Sequence, residues 1–259
     1  MSSLILSHEQ NGLLTLTINR PDRKNALTQE MYGLLCDELS RAMQEKSIKV
    51  VQIRGNENFT SGNDLVDFAA FAQAKTSLHE TNTIRFIKTI LQFEKPLVAA
   101  VKGLAVGIGT TLLFHCDVVI TDENSRFTLP FVALGLVPEF GSSMLFPMLA
   151  GYNRASYYLL TGQPFRGVEA HEMGLVSHLC KDEDVYDKAD KVCQWLTQLP
   201  NNSVRAAKRL MHTPDHKERL KQVIAQEIAL FEQHLHSPEH QEALAAFFEK
   251  RPPDFNQFE

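Results

Sequence analysis

The chain has 259 residues, 44% of them hydrophobic, enough for one substantial core and close to the upper size that a single core serves. Its 26 basic and 31 acidic residues leave a net charge of −5, a balance unsuited to coating a nucleic acid. The four cysteines, Cys36, Cys116, Cys180 and Cys193, form no CxxC pair and have no histidine-rich companions, so neither a zinc site nor a disulfide framework is expected, and a reducing compartment is.

The first nine residues carry no positive flank and no long apolar stretch, so no signal or transit peptide is expected. Residues 13–18, alternating and β-branched, predict a strand closed by the turn-forming run Asn19-Arg20-Pro21-Asp22. Thr28 is predicted to cap a helix whose apolar positions Met31, Leu34, Leu35, Leu39 and Met43 follow a helical period. Residues 50–53 read as a buried strand, and the rhythm recurs with a helix over 82–93, a strand over 97–101, a helix starting within 109–115 and a strand over 118–121. Beyond about residue 140 the pattern turns helical, over 143–149, 154–160, 168–173, 184–196 and 203–211. In the tail, Leu220, Val223, Ile224, Ile228 and Phe231 form one apolar stripe, and Leu244, Phe247 and Phe248 another. Packing against the chain's own core is the favoured reading of these stripes, and a neighbouring subunit is the alternative. No stretch approaches the roughly 20 apolar residues of a membrane span. The last four residues are not an SKL-type peroxisomal address. A cytoplasmic protein with neither membrane nor nucleic acid as partner is the expectation.

Three glycine-bearing segments carry the candidate chemistry. In Asn58-Phe59-Thr60-Ser61-Gly62-Asn63-Asp64-Leu65 a strand exit turns through Gly62 into a helix opening near Asp64, where backbone N–H groups have no intrahelical acceptor; a plain loop is the competing reading. The run from Lys102 to Thr111 has the spacing GxxxGxG, with Leu112 where a dinucleotide fingerprint needs its third glycine, but it can still present the Ile108 N–H to a developing oxyanion. In Leu134-Gly135-Leu136-Val137-Pro138-Glu139-Phe140-Gly141-Ser142-Ser143 an acid sits among apolar residues ahead of a helix. Burial would raise the proton affinity of Glu139 and suit it to general-base work, whereas an exposed acid answering the helix dipole is the blander reading.

Together these segments resemble the crotonase, or enoyl-CoA hydratase/isomerase, superfamily. The resemblance rests on Asn19-Arg20-Pro21 with Lys24-Asn25-Ala26-Leu27, on residues 59–65, on Pro96-Leu97-Val98-Ala99-Ala100-Val101-Lys102-Gly103, on Gly107-Ile108-Gly109, on Cys116-Asp117 and on Leu134-Gly135-Leu136, in this order along nearly the whole chain. It implies an α/β crotonase (ClpP-like) spiral of ββα units over residues 1–200 and a C-terminal helical trimerisation region over 201–259. It further implies a homotrimer or hexamer and a coenzyme A thioester as substrate, with no resident cofactor and no metal. The family's oxyanion hole falls on the backbone N–H groups of Asn63 and Ile108. Its CoA-binding residues fall on Lys24, Asn25, Ala26, Leu27, Ser61, Gly62, Asp64, Leu65 and Gly107, with Phe247 and Lys250 of the tail completing that site, sometimes across a subunit boundary.

The departures bear on the reaction. The two positions that carry glutamates in hydratases of this family hold Thr111 and Phe131 here. Residues 137–143 are instead similar to the Pro-Glu-Gly-x-Ser-Ser segment of peroxisomal-type Δ3,Δ2-enoyl-CoA isomerases, in which a single glutamate moves the proton. The resemblance therefore implies Glu139 as acid/base, with an apolar wall of Phe131, Leu136, Val137 and Phe140 keeping water out. A non-catalytic CoA-binding scaffold and a hydratase-like enzyme of other specificity are the alternatives.

Overall fold

The computed structural model describes residues 3–73, 77–181 and 184–258; expectations drawn from the outermost residues Met1, Ser2 and Glu259 lie outside these. Two sheets organise the chain. The larger has the strand order β1 (Ile5–Gln10), β2 (Leu13–Ile18), β3 (Val50–Arg54), β4 (Leu97–Val101), β6 (Val118–Asp122), β9 (His178–Cys180), with β1 antiparallel to β2 and every later pair parallel. The smaller joins β5 (Leu104–Val106), β7 (Arg126–Thr128) and β8 (Phe165–Arg166). Single bridges, Thr60 to Ala105 and Leu27 to Asn63, carry its ladder further.

Chain order through these sheets is a spiral. A strand of the large sheet is followed by a short segment in the small ladder and then by helix. β2 leads through Leu27 to α1 (Gln29–Gln44); β3 leads through Thr60 and Asn63 to α2 (Leu65–Gln73) and α3 (Asn82–Leu91). β4 leads through β5 to the short α4 (Ile108–Thr111), and β6 leads through β7 to α5 (Ser142–Ala150) and α6 (Tyr152–Thr161). This is the ββα spiral implied by the resemblance.

β4 shows why the stack is stable: all five residues are buried. Leu97, Ala99 and Val101 face the main core, while Val98 and Ala100 face a second cluster with Val185, Ala189 and Cys193 of α8 (Val185–Gln198). A parallel strand covered on both faces needs small or β-branched apolar residues throughout, which is what the sequence supplies. On one face α1 packs against α3. Thr28 caps α1, its hydroxyl accepting from the Met31 N–H at 3.3 Å.

After α7 (Gly167–Glu172), β9 and α8 come α9 (Asn201–Met211), α10 (Pro214–Leu235) and α11 (Pro238–Glu249). Leu220, Ile224, Ile228 and Phe231 of α10 belong to the main core, so the first tail stripe packs on the chain's own body. The second stripe divides: Leu244 is buried, whereas Phe247 and Phe248 are about half exposed. All four cysteines are free thiols. Among the described residues no helix is long and apolar enough to cross a membrane.

Candidate active site

Two backbone N–H groups are left over where the small ladder meets the helices. In the Leu27–Asn63 bridge, Leu27 donates to the Gly62 carbonyl at 2.8 Å and accepts from the Asp64 N–H at 2.9 Å. That alternation turns the amide of the intervening Asn63 away from Leu27. At the second turn the Gly107 carbonyl accepts from Thr110 and Thr111, and Ile108 opens α4 with its own N–H unclaimed. Among the described residues neither the Asn63 nor the Ile108 amide meets a protein acceptor.

Each of these donors follows a glycine in the left-handed half of backbone space, Gly62 at φ +89 and Gly107 at φ +55. A Cβ on Gly62 would lie 2.7 Å from the Val106 carbonyl oxygen and 4.0 Å from the Gly107 nitrogen. The two turns that carry these donors therefore press together backbone to backbone. Tyr32 of α1, fully buried, donates its hydroxyl proton to Asn63 Oδ1 at 2.6 Å and fixes that side chain. Burial, and then the nearby Glu139 carboxylate, hold the Tyr32 phenol well above its ordinary value, so it stays a neutral donor.

Glu139 is 9% exposed. Burial pushes its carboxyl up to about 8; the charge of Glu227 adds to the rise, and a hydrogen bond from Thr111 opposes it. That bond, from Thr111 Oγ1 to Glu139 Oε1, is 2.5 Å long and comes from the last residue of α4, the helix that Ile108 opens. Glu139 is thus buried within the site rather than an exposed acid at a helix end.

The turn that carries Glu139 is unusual. Phe140 (φ +57) and Gly141 (φ +77) are successive left-handed residues. Phe140 stands where the Pro-Glu-Gly-x-Ser-Ser pattern has glycine, and a left-handed residue with a side chain costs on the order of 1–2 kcal/mol. Several contacts offset that strain. The ring of Phe140 is fully buried and stacks on His115 with centroids 4.0 Å apart. His115 Nε2 lies 2.7 Å from the Phe140 carbonyl, which can only accept, so Nε2 carries the proton. Burial drives the His115 imidazole down to about 4, leaving the ring neutral near pH 7. Both the N–H and the hydroxyl of Ser142 donate to the Glu139 carbonyl, at 3.1 and 2.6 Å.

Asn63 and Glu139 border one largely apolar cleft. It is a slot, walled by Phe68 of α2, Leu78, Ile84 and Ile87 of the α3 segment, and Ile228 and Phe231 of α10. Leu27 and Asp64 also border it. Of the wall expected from Phe131, Leu136, Val137 and Phe140, none borders this cleft, and Phe131, Leu136 and Phe140 are buried in the core. The residues next to Glu139 in sequence pack inward to hold its turn, and the slot is covered by helices that fold over from elsewhere.

The expected CoA-binding residues separate into two groups. Lys24 is exposed at φ +49, and the Ser61 N–H donates to its carbonyl at 3.0 Å, which joins loop 24–27 to turn 61–65. Asn25 is a buried brace, accepting from the Arg20 N–H at 2.8 Å and donating to the Asn58 carbonyl at 2.7 Å. The Ala26 carbonyl accepts from Arg20 Nη1, and Leu65, half-buried, opens α2. Burial alone would raise the Asp64 carboxyl, but Arg20 at 2.6 Å and the Val66 and Asp67 N–H groups hold it below its ordinary range, so this acid is committed to an ion pair and to capping α2. Phe247 and Lys250 are exposed and do not border the cleft.

The sequence reading missed Tyr32, His115 and Glu227, and it named Thr111 only as a missing acid. Glu227 had a visible signal: an acid three residues after Ile224 and just before Ile228, on the apolar stripe itself.

Two backbone amides without a protein acceptor, near a buried carboxylate that keeps its proton near neutrality, are an arrangement able to stabilise a developing oxyanion and to move a proton, although Ile108 itself does not line the cleft that Asn63 and Glu139 border. The chain belongs to the enoyl-CoA hydratase/isomerase family, whose model matches residues 8–258. It is 35% identical over 256 residues to the 2,3-dehydroadipyl-CoA hydratase of Escherichia coli (strain K12), covering 98% of this chain and 99% of that protein. It is 32% identical over 251 residues to the enoyl-CoA delta isomerase 2 of Rattus norvegicus, covering 96% of this chain and 64% of that one. The solved structure of Pseudomonas aeruginosa OdaA matches with a TM-score of 0.90 at 43% identity, over 95% of this chain and 99% of that one. Membership gives the crotonase-type fold and chemistry on coenzyme A thioesters of the hydratase/isomerase type.

Proposed function

We propose that the chain is a Δ3,Δ2-enoyl-CoA isomerase. The Glu139 carboxylate takes a proton from C2 of a 3-enoyl-CoA; the electron pair delocalises into the thioester as a dienolate whose oxygen is held by the Asn63 and Ile108 N–H groups. Glu139 then returns its proton to C4, leaving a trans-2-enoyl-CoA and the original carboxylate. One observation carries the reading. Three carboxylates border the cleft: Asp64 is bound to Arg20, Asp67 accepts the first N–H of α1 at 3.1 Å, and Glu139 alone combines burial with a raised proton affinity. A carboxyl poised near 8 is populated in both forms close to neutral pH, as a group that takes and returns one proton requires. Thr111 supplies a hydrogen bond to that carboxyl instead of a second acid. The apolar side chains of the slot, Phe68, Ile84, Ile87, Ile228 and Phe231, favour a dry surrounding for the dienolate.

In the same reading Lys24 to Leu27, Ser61, Gly62, Asp64, Leu65 and Gly107 receive the coenzyme A moiety. Phe247 and Lys250, which stand away from this cleft, complete the site of a neighbouring copy in a trimer or hexamer built through residues 201–259.

A second reading, a hydratase of other specificity, is favoured by the 35% identity to a protein named as a hydratase. One experiment separates the two. The purified protein is given trans-3-hexenoyl-CoA and, separately, crotonyl-CoA and 2,3-dehydroadipyl-CoA in ¹⁸O-labelled water, with products read by mass spectrometry and NMR. Conversion of the 3-enoyl to the 2-enoyl thioester without label is expected. Labelled 3-hydroxyacyl-CoA with no movement of the 3-enoyl double bond would establish the hydratase, and binding without turnover would leave a scaffold.

A further inference from the structure

Glu227 lies on the buried face of α10, next to Ile228, and is 6% exposed. A carboxylate on an apolar helix face is costly unless donors meet it, and here three do. Its Oε2 accepts from the Gly141 N–H at 2.6 Å; its Oε1 accepts from the Ser143 N–H at 3.0 Å and from the Ser143 hydroxyl at 2.5 Å. These donors form the entry to α5, whose N-cap, Gly141, has no side chain to offer. Glu227 therefore caps α5 from another helix, and the turn it grips begins at Glu139.

We propose that Glu227 is a positioning residue for the reaction, fixing the 139–143 turn so that the Glu139 carboxylate faces the cleft and lending its negative charge to that carboxylate's surroundings. The inference rests on the reading of Glu139 as the acid/base. The left-handed pair Phe140 and Gly141 needs an outside hold, and it is gripped on one side by His115 at the Phe140 carbonyl and on the other by Glu227 at the Gly141 N–H. The same helix places Ile228 and Phe231 in the cleft wall, so the grip also ties the wall to the base.

The charge has few rivals. Tyr32 faces Glu139 from α1, Thr111 from α4, and His115 reaches its turn from the segment after α4. The first two are neutral and His115 is driven down to about 4; burial raises the Glu227 carboxyl, while the Ser143 hydroxyl and the Gly141 and Ser143 N–H groups oppose that rise by favouring its ionised form, the form whose charge adds to the raised proton affinity of Glu139. A glutamine could not replace it: three donors converge on two oxygens, and an amide would set its own N–H against one of them.

The test uses the full chain with Glu227→Gln, Glu227→Asp and Ser143→Ala. Glu227→Gln is expected to lower kcat on the order of 10²-fold through misplacement of the base, with KM little changed. It should also shift the rising limb of the pH–rate profile to lower pH, because a negative neighbour is gone. Glu227→Asp keeps the charge, so its midpoint stays while kcat falls. Ser143→Ala removes one donor and should lower kcat less, with the midpoint unmoved. If Glu227→Gln does not fold, these two variants carry the comparison. A ¹³C NMR titration of the Glu139 carboxyl, assigned with Glu139→Gln, needs no substrate. A downward shift in Glu227→Gln with no activity toward 3-enoyl-CoA in any variant would keep the inference and sink the isomerase reading. An unmoved Glu139 titration in Glu227→Gln, or a kcat in Glu227→Asp and Ser143→Ala that is unchanged or reduced only in step with thermal stability, would overturn the inference.

Discussion

Replacing Thr111 by valine removes one hydroxyl from a fully buried site at nearly constant volume. What disappears is the 2.5 Å hydrogen bond to Glu139 Oε1, the one contact that pulls the Glu139 carboxyl down while burial and Glu227 push it up to about 8. A hydrogen bond to a charged acceptor contributes about 1.5–3 kcal/mol, and one pKa unit corresponds to about 1.36 kcal/mol, so the midpoint should climb by roughly one to two units. At pH 7.5 the ionised fraction of Glu139 then falls from about one quarter to about 3% or less, a loss of about 8- to 80-fold in turnover, by the same conversion. Above pH 10 the deficit should shrink to roughly twofold or less. The assay is the steady-state rate of double-bond migration in a 3-enoyl-CoA from pH 6 to 10.5, with wild-type and Thr111→Val side by side. A midpoint that stays put or moves toward acid would refute the reasoning. A deficit equal at every pH would show that Thr111 places the carboxylate without tuning its proton.

Two further predictions follow from the same geometry. Glu139 keeps its proton to about 8 in the folded chain against an ordinary 4.5, so its contribution to stability is full below about 4.5 and drains away as pH rises through 8. Over that span the loss amounts to up to about 5 kcal/mol. Glu139→Gln should be inactive yet melt above wild type at pH 8.5, with the gap closing at pH 4.5; equal melting curves at both pH values would contradict the buried-acid account. At Gly107 a Cβ would touch nothing within 4 Å, so Gly107→Ala tests conformation alone. Its φ +55, ψ −120 is open to glycine, and alanine there costs about 1–3 kcal/mol. As the turn relaxes, the Ile108 N–H leaves its aim and kcat should drop about 10²–10³-fold; wild-type kcat would rule out Ile108 as an oxyanion donor.

The elements longest in period were the ones legible in the sequence. The strand over 97–101 and the helices near 82–93 and 184–196 stand within two residues of their expected bounds. β1 gave no signal because five of its six residues are exposed and its one neighbour in the sheet is β2. β5, β7 and β8 span two or three residues each, too few to show any period, and are defined by the ladder they join. β2 stands at its expected bounds, with Thr15 and Thr17 buried along with Leu14 and Leu16.

The site divides in the same way. Asn63, Ile108 and Glu139 sit in short local patterns, each beside the glycine turn that aims it. The slot does not, because its wall comes from α2, the α3 segment and α10, brought together by folding over distances no local pattern records. The dipole-facing acid considered for Glu139 does exist at α5, but it is Glu227, 86 residues from the Gly141 amide it meets.

That α10 supplies Glu227, Ile228 and Phe231 has a consequence for the order in which the enzyme comes into being. On the ribosome the spiral emerges first, with its amide pair and Glu139 in hand, but the catalytic turn is ungripped and the slot lacks a side until the C-terminal helices follow. On the mechanism proposed above, a chain caught midway through synthesis lacks the grip on its base and one wall of its slot, and is expected to be inert toward 3-enoyl thioesters. Clipping or fraying α10 would remove the same grip and the same wall, so on this mechanism activity would report on the integrity of the last segment made.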